Sequence, residues 1–267
     1  MWRHRPAHRT FQRRKLRLDP SPHLISENRS TCHPPSIKPQ SRSIWETRPS
    51  PQPFATPLSL LLEEHLSAQR LSTYVQQRTG RLDDALDLYV WNSAVAAAFW
   101  EQLGHVEVVL RNTLDRRLTV RHLKRARSGS WLDDPARELT RRARDDIAIA
   151  RTRVSSKGKP ASHGQILSEL SFGFWRFLVS KTYKGSLWPD LATGFPHAPN
   201  RDLATIEDPL LRLHQFRNRI AHHHRVWSEP LPARQADMNI LVGYVNHDVA
   251  TWIARHSRVQ ATLLLQP

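Results

Sequence analysis

An all-α fold is predicted by three features of the 267-residue sequence: apolar residues recur three and four apart from residue 56 onward, no alternating strand of useful length interrupts them, and several of the runs open on Ser, Thr or Asp. The expected organisation is a single helical bundle over residues 55–260, preceded by a disordered basic tail, 1–54, and followed by a short C-terminal tail, 261–267.

The elements follow in order. Thr56 before Pro57 reads as an N-cap with proline at N1, and Leu58, Leu61, Leu62 and Leu66 continue at helical spacing. Ser67 caps a second short helix through Tyr74 and Val75, stopped at Gly80. Asp83 or Asp84 opens a longer one carrying Leu88, Trp91, Val95, Phe99 and Leu103, with a break expected at Gly104 before Val106 to Val120 resume the pattern. Beyond the polar turn at Ser128 to Ser130, Asp133 and Asp134 precede Pro135 and a charged helix reaching about Val154. Lys157, Gly158, Lys159 and Pro160 make a loop. Ser162 opens a helix with Ile166, Leu170, Phe174 and Phe177 on one face, and Trp188 to Asn200 is irregular. Leu203, Ile206, Leu210, Leu213, Phe216 and Ile220 draw one more stripe, and Leu241, Val245, Val249 and Trp252 the last.

Composition narrows the class. No apolar run approaches the roughly 18 residues of a membrane span, so no membrane association is expected. The one cysteine, Cys32, has no partner for a disulfide and none for a zinc ribbon or a CxxC redox site, which predicts a cytoplasmic protein. Nucleotide-binding, dehydrogenase, serine-hydrolase and zinc-protease signatures (GxxxxGK[ST], GxGxxG, GxSxG, HExxH) are absent from the sequence.

Charge is distributed unevenly. Of the net +16, half falls in residues 1–54, which also hold nine prolines, no glycine and no apolar period. Such a segment cannot offset its ordering entropy. It reads as a nucleic-acid-binding arm, a targeting peptide or translated upstream sequence, and its composition does not separate the three. Within the domain, the stretch from Arg116 to Lys159 carries fourteen basic residues against five acidic ones. A solvated helical face is the usual meaning of such a run, but concentration of the whole excess in one region is the footprint of a polyanion binder. Arg116, Arg117, Arg121, Lys124, Arg125, Arg141, Arg142 and Arg144 are the candidate nucleic-acid-binding residues, because five acids from the same stretch cannot pair them all.

The segment from Leu213 to Trp227 is densest in reactive groups, with four His, three Arg and one Asn in fifteen residues. Imidazole acts as acid or base near neutrality, and guanidinium clamps a phosphate gaining charge. Arg217, Asn218 and His222 thus supply an anion clamp, an amide and a proton acceptor. On an ideal helix Arg217 and His222 lie about 140° apart, so they meet on one ligand only if the helix loosens near Ala221 or two copies face each other.

Arg217-Asn-Arg-Ile-Ala-His-His223 matches the Arg-Asn-x-x-x-His signature of the HEPN superfamily, and the chain resembles the Abi-like (abortive infection) proteins of bacteria. Arg70-Leu-Ser-Thr-Tyr74, Leu88-Tyr-Val-Trp-Asn92, Val106-Glu-Val-Val-Leu-Arg-Asn112, Leu170-Ser-Phe-Gly-Phe-Trp175, Leu187-Trp188 and Trp252-Ile-Ala-Arg-His-Ser-Arg-Val259 look like that family's segments, in its order, over roughly residues 58–260. The resemblance implies a HEPN-like bundle, frequently a homodimer, with metal-independent endoribonuclease activity in active members and a role in phage defence or as a toxin, with an antitoxin or a phage-derived trigger as partner. Arg217, Asn218 and His222 are the corresponding catalytic positions, and no cofactor is implied. Where the family usually has Glu-Pro after His223, this chain has His224-Arg225. His223, His224, Glu107, Arg111 and Asn112 are expected to support the site, with Glu107 and Arg111 forming an intrahelical ion pair. Three other readings compete: a non-catalytic RNA-binding or protein-interaction scaffold, a metal site made by His214 with His222, His223 and His224, and a purely structural bundle.

Overall fold

A computed structural model describes residues 57–158 and 161–267. The expected tail over 1–54 and the Thr56 cap lie outside the described residues. Among the described residues there is no strand and no helix long and apolar enough to cross a membrane.

The spine is one helix, α3 (Leu82–Lys124), about 64 Å long at 1.5 Å per residue. Leu88, Val95, Phe99, Leu103, Leu110, Leu114 and Leu118 are all buried along it, and most later helices pack on this axis or on a neighbour that does. Two short helices, α1 (Pro57–Leu66) and α2 (Ala68–Gln77), lead in, the second capped by Ser67, whose hydroxyl accepts the Arg70 amide at 3.2 Å. The break expected at Gly104 is not formed. A solvent-facing glycine lowers helix propensity without stopping a helix whose apolar stripe continues on both sides. A Cβ built at Gly104 meets nothing within 4 Å, so Gly104→Ala is expected to raise stability by about 0.5 to 1 kcal/mol, read as a higher melting temperature.

Beyond α3, the helix expected from Asp133 starts instead at Arg141. Asp134 takes φ 44°, and its carboxylate accepts the amides of Glu138 at 2.7 Å and Leu139 at 3.1 Å, which fixes a loop rather than a first turn. Thr140 then caps α4 (Arg141–Ser156). The single helix expected from Ser162 is two, α5 (His163–Glu169) and α6 (Phe172–Leu178), because Leu170 is extended and Ser171 caps the second. His163 clasps this region to the spine, with Nε2 2.7 Å from Asp115 and Nδ1 3.0 Å from the Ser130 hydroxyl.

The irregular stretch contains α7 (Trp188–Leu191) and a 3₁₀ turn ending at Gly194, where a Cβ would stand 2.7 Å from Thr113 of α3. The next stripe forms α8 (Leu203–Ala221), with its apolar residues buried and Pro209 accommodated inside. The last stripe is divided at Asn246 into α9 (Leu231–Val245) and α10 (His247–His256), leaving Trp252 exposed. Residues 259–263 form α11, so the expected C-terminal tail begins inside a helix, and the Trp91 indole N–H holds it by donating to the Thr262 carbonyl at 2.9 Å.

Candidate functional site

The motif straddles the end of α8. Helical bonding stops at Ala221: His222 is the C-cap, and His223 sits in the left-handed region at φ 54°. The His223 amide donates to the Ile220 carbonyl at 2.9 Å and the His224 amide to the Arg219 carbonyl at 2.8 Å, the two bonds of a Schellman cap. Glycine is the usual occupant of that position, and an L side chain there costs on the order of 1 kcal/mol.

Surrounding contacts hold the strained turn. Arg70 of α2 donates to the His223 carbonyl at 2.5 Å. The buried Asn92 side chain of α3 accepts the Val226 amide at 2.7 Å and the Trp227 amide at 3.3 Å. Arg219 reaches the Arg225 carbonyl at 2.9 Å and Glu229 at 3.0 Å, and Trp227 packs edge-on against Tyr74. His222, His223 and His224 are thereby presented to solvent on a fixed turn, with the first and third rings 5.9 Å apart.

Arg217 takes a different direction. Its guanidinium lies 4.9 Å from the ring centre of Trp100 on α3. Glu107, two turns further along α3, feels its charge: burial pushes that carboxyl above the usual range, and Arg217 and Arg111 pull the other way. The expected Glu107–Arg111 contact pair is not formed, because Arg111 directs its Nε to the Asn112 side-chain oxygen at 3.3 Å and acts on Glu107 only through its charge. One turn before Arg217, His214 is held below the ordinary imidazole range, first by burial and then by the charges of Arg176, Arg217 and Arg142. Within one chain, then, Arg217 is brought to Trp100 and Glu107, and His222 to His224. No hydrogen bond, ion pair or ring contact joins Arg217 to His222, although Trp100, His223 and His224 line one groove. Asn218, half-buried, lies between Arg217 and His222 in sequence, and its carbonyl accepts the His222 amide at 3.0 Å.

Among the described residues no three His, Cys, Asp or Glu side chains gather as a metal site needs. His214 sits two turns back from His222, with its ring 6.0 Å from that of Phe172.

Part of the basic stretch is paired. Glu138 alone receives Arg121, Arg125 and Arg127. Arg121 is 6 % exposed and also bonds Asp190, so it is a structural ion rather than part of a substrate track. Arg144 bonds the Leu139 carbonyl and Asp134, Arg151 bonds Asp133, and Lys157 bonds Glu169. Two of these acids, Asp190 and Glu169, come from beyond the stretch. Arg116, Lys124, Arg141 and Arg142 are exposed, Arg141 3.8 Å from Asp145 and Arg116 donating to the Asn112 carbonyl at 3.2 Å, and Arg117 is half-buried beside Gly194. Arg142 stacks 5.4 Å from the Phe177 ring and biases His214, which places it next to α8.

Trp100 and Arg176 escape the sequence reading. Trp100 directly follows Phe99 of the buried stripe, and a large aromatic one position off the core face is the signal that would have found it.

The chain matches no family model, no curated protein and no solved structure.

Proposed function

We propose that the chain is an endoribonuclease in which Arg217, Asn218 and His222 act on a phosphodiester without a metal. The observation that carries this reading is the end of α8: the motif's imidazoles stand on a strained, externally pinned turn, and strain of that kind gathers at functional sites.

His222 takes the proton of a ribose 2′-hydroxyl. The O2′–P bond forms, Arg217 and Asn218 hold the five-coordinate phosphorus, and the P–O5′ bond breaks as the 5′-oxygen takes a proton from an imidazolium of the same turn. The products are a 2′,3′-cyclic phosphate and a 5′-hydroxyl.

The separation of about 140° between Arg217 and His222 on an ideal helix favours a homodimer in which one copy's guanidinium faces the other's imidazole. The same separation is what a non-catalytic RNA-binding scaffold would show, and that is the second reading. The resemblance to the Abi-like family supports a role in phage defence or as a toxin, with an antitoxin or a phage-derived trigger as partner and a cytoplasmic location.

Incubation of the purified full chain with total RNA in EDTA tests the proposal. Cleavage to 2′,3′-cyclic ends is expected, from a particle of about twice 30.9 kDa by light scattering. Intact RNA under all conditions supports the scaffold, and cleavage abolished by EDTA overturns the metal-free mechanism.

A further inference from the structure

We propose that the groove between α2, α3 and the terminal turn of α8 is a binding site for the bases of single-stranded RNA, with Trp100 as the stacking platform. The proposal rests on the ribonuclease reading, because Trp100 is shared with Arg217 and the groove's wall with the histidine turn.

The groove is open and about 530 Å³ in volume. Its floor is the outward face of α3, where Ser93, Ala96 and Ala97 are small enough to let a flat ring approach the helix backbone. An aromatic stands at each end of that floor, Tyr89 and Trp100, eleven positions or about 16 Å apart along the axis. Each carries a cation: Arg70 lies 5.9 Å from the Tyr89 ring centre, and Arg217 lies 4.9 Å from that of Trp100. His223 and His224 complete the wall, and no carboxylate lines it.

Trp100 is 44 % exposed although its neighbour Phe99 is fully buried. Nearly half of Trp100 therefore lies outside the packed core, and that exposed surface is available to a flat partner. Flat faces flanked by cations suit an anionic chain with unstacked bases: aromatic side chains stack with the bases, and guanidiniums meet phosphates. Duplex RNA hides its base faces and does not fit. An acidic peptide would satisfy the cations but would leave the stacking faces unused.

Fluorescence anisotropy of a labelled oligouridylate of about ten nucleotides tests this, with full-length protein carrying His222→Ala so that RNA is not consumed. Adding Trp100→Leu is expected to weaken binding roughly 5- to 150-fold, the range that corresponds to losing one stacked base, whereas Trp100→Phe should stay within about threefold. Bound oligouridylate should quench indole fluorescence, and that quenching should be absent in the Phe variant, a signature that a merely structural Trp100 would not give. Blunt duplex RNA and polyglutamate should bind weakly and equally to all three proteins. Unchanged oligouridylate binding in a Trp100→Leu variant of normal helicity overturns the site. Loss of polyglutamate binding instead of RNA binding overturns it in favour of a protein partner. Trp100-dependent binding by a protein that cleaves nothing would leave the site standing and remove the ribonuclease reading; His222-dependent cleavage with Trp100-independent binding would do the reverse.

Discussion

His222→Ala is expected to lower RNA cleavage at least a hundredfold while leaving the melting temperature within a few degrees of the parent. General acid–base catalysis by one positioned group contributes about 10²- to 10⁴-fold. The imidazole is exposed, and the cap itself is made by backbone groups that alanine keeps. Single-turnover cleavage at saturating RNA isolates the chemical step from binding. Arg217→Lys should be nearly as damaging as Arg217→Ala, since an ammonium lacks the planar fork and stacks less well over Trp100. Cleavage unaltered in His222→Ala would remove that residue from the mechanism.

The largest loss of stability is expected at Glu138, far from the motif. Arg121 donates to it at 2.8 and 3.3 Å, Arg127 at 2.6 Å and Arg125 at 2.5 Å. Glu138→Ala leaves the buried Arg121 with Asp190 alone, which should cost about 3 kcal/mol, the low end for breaking a buried pair because one partner survives. For a domain of this size that corresponds to a fall of roughly 6 to 12 °C in melting temperature. The Arg127 hydrogen bond first, and Arg121 next, hold the Glu138 carboxyl well below its ordinary 4.5, at about 2. A carboxyl lowered in the folded state stabilises only while ionised. Its contribution is therefore complete above pH 4.5 and lost as pH falls through about 2. The difference in stability between the parent and Glu138→Gln should be flat above pH 5 and close in that acid window; a difference that persists unchanged at pH 2 would assign the effect to shape rather than charge.

The long apolar stripes of α3 and α8 were legible because burial enforces a 3.6-residue period whatever the loops do. The breaks were not. Ile166, Leu170, Phe174 and Phe177 keep helical spacing across the extended Leu170, and only the Ser171 cap betrays the interruption. At Asn246 the side chain begins α10 by accepting the Val249 amide, a role that spacing alone does not announce. For the site, residue types were readable and directions were not. Nothing local in the sequence tells that Arg217 turns to Trp100, that Arg70 and Asn92 come from more than a hundred residues away to hold the histidine turn, or that Arg121 is spoken for by Asp190.

The unbroken run of α3 through Gly104 has a geometric consequence. A continuous helix is a rod of fixed phase, so Trp100 and Arg121 are about 31 Å apart with a set angle between them. The groove end and the ion-pair knot behave as two marks on one ruler, so any polymer that touches both must span that length. Insertion of one residue between them would rotate the marks by about 100° as well as part them by 1.5 Å, whereas four residues would nearly restore the angle. The spine thus acts as a gauge of phase as much as of distance, and the chain's tolerance of length change between residues 100 and 121 is set in helical turns.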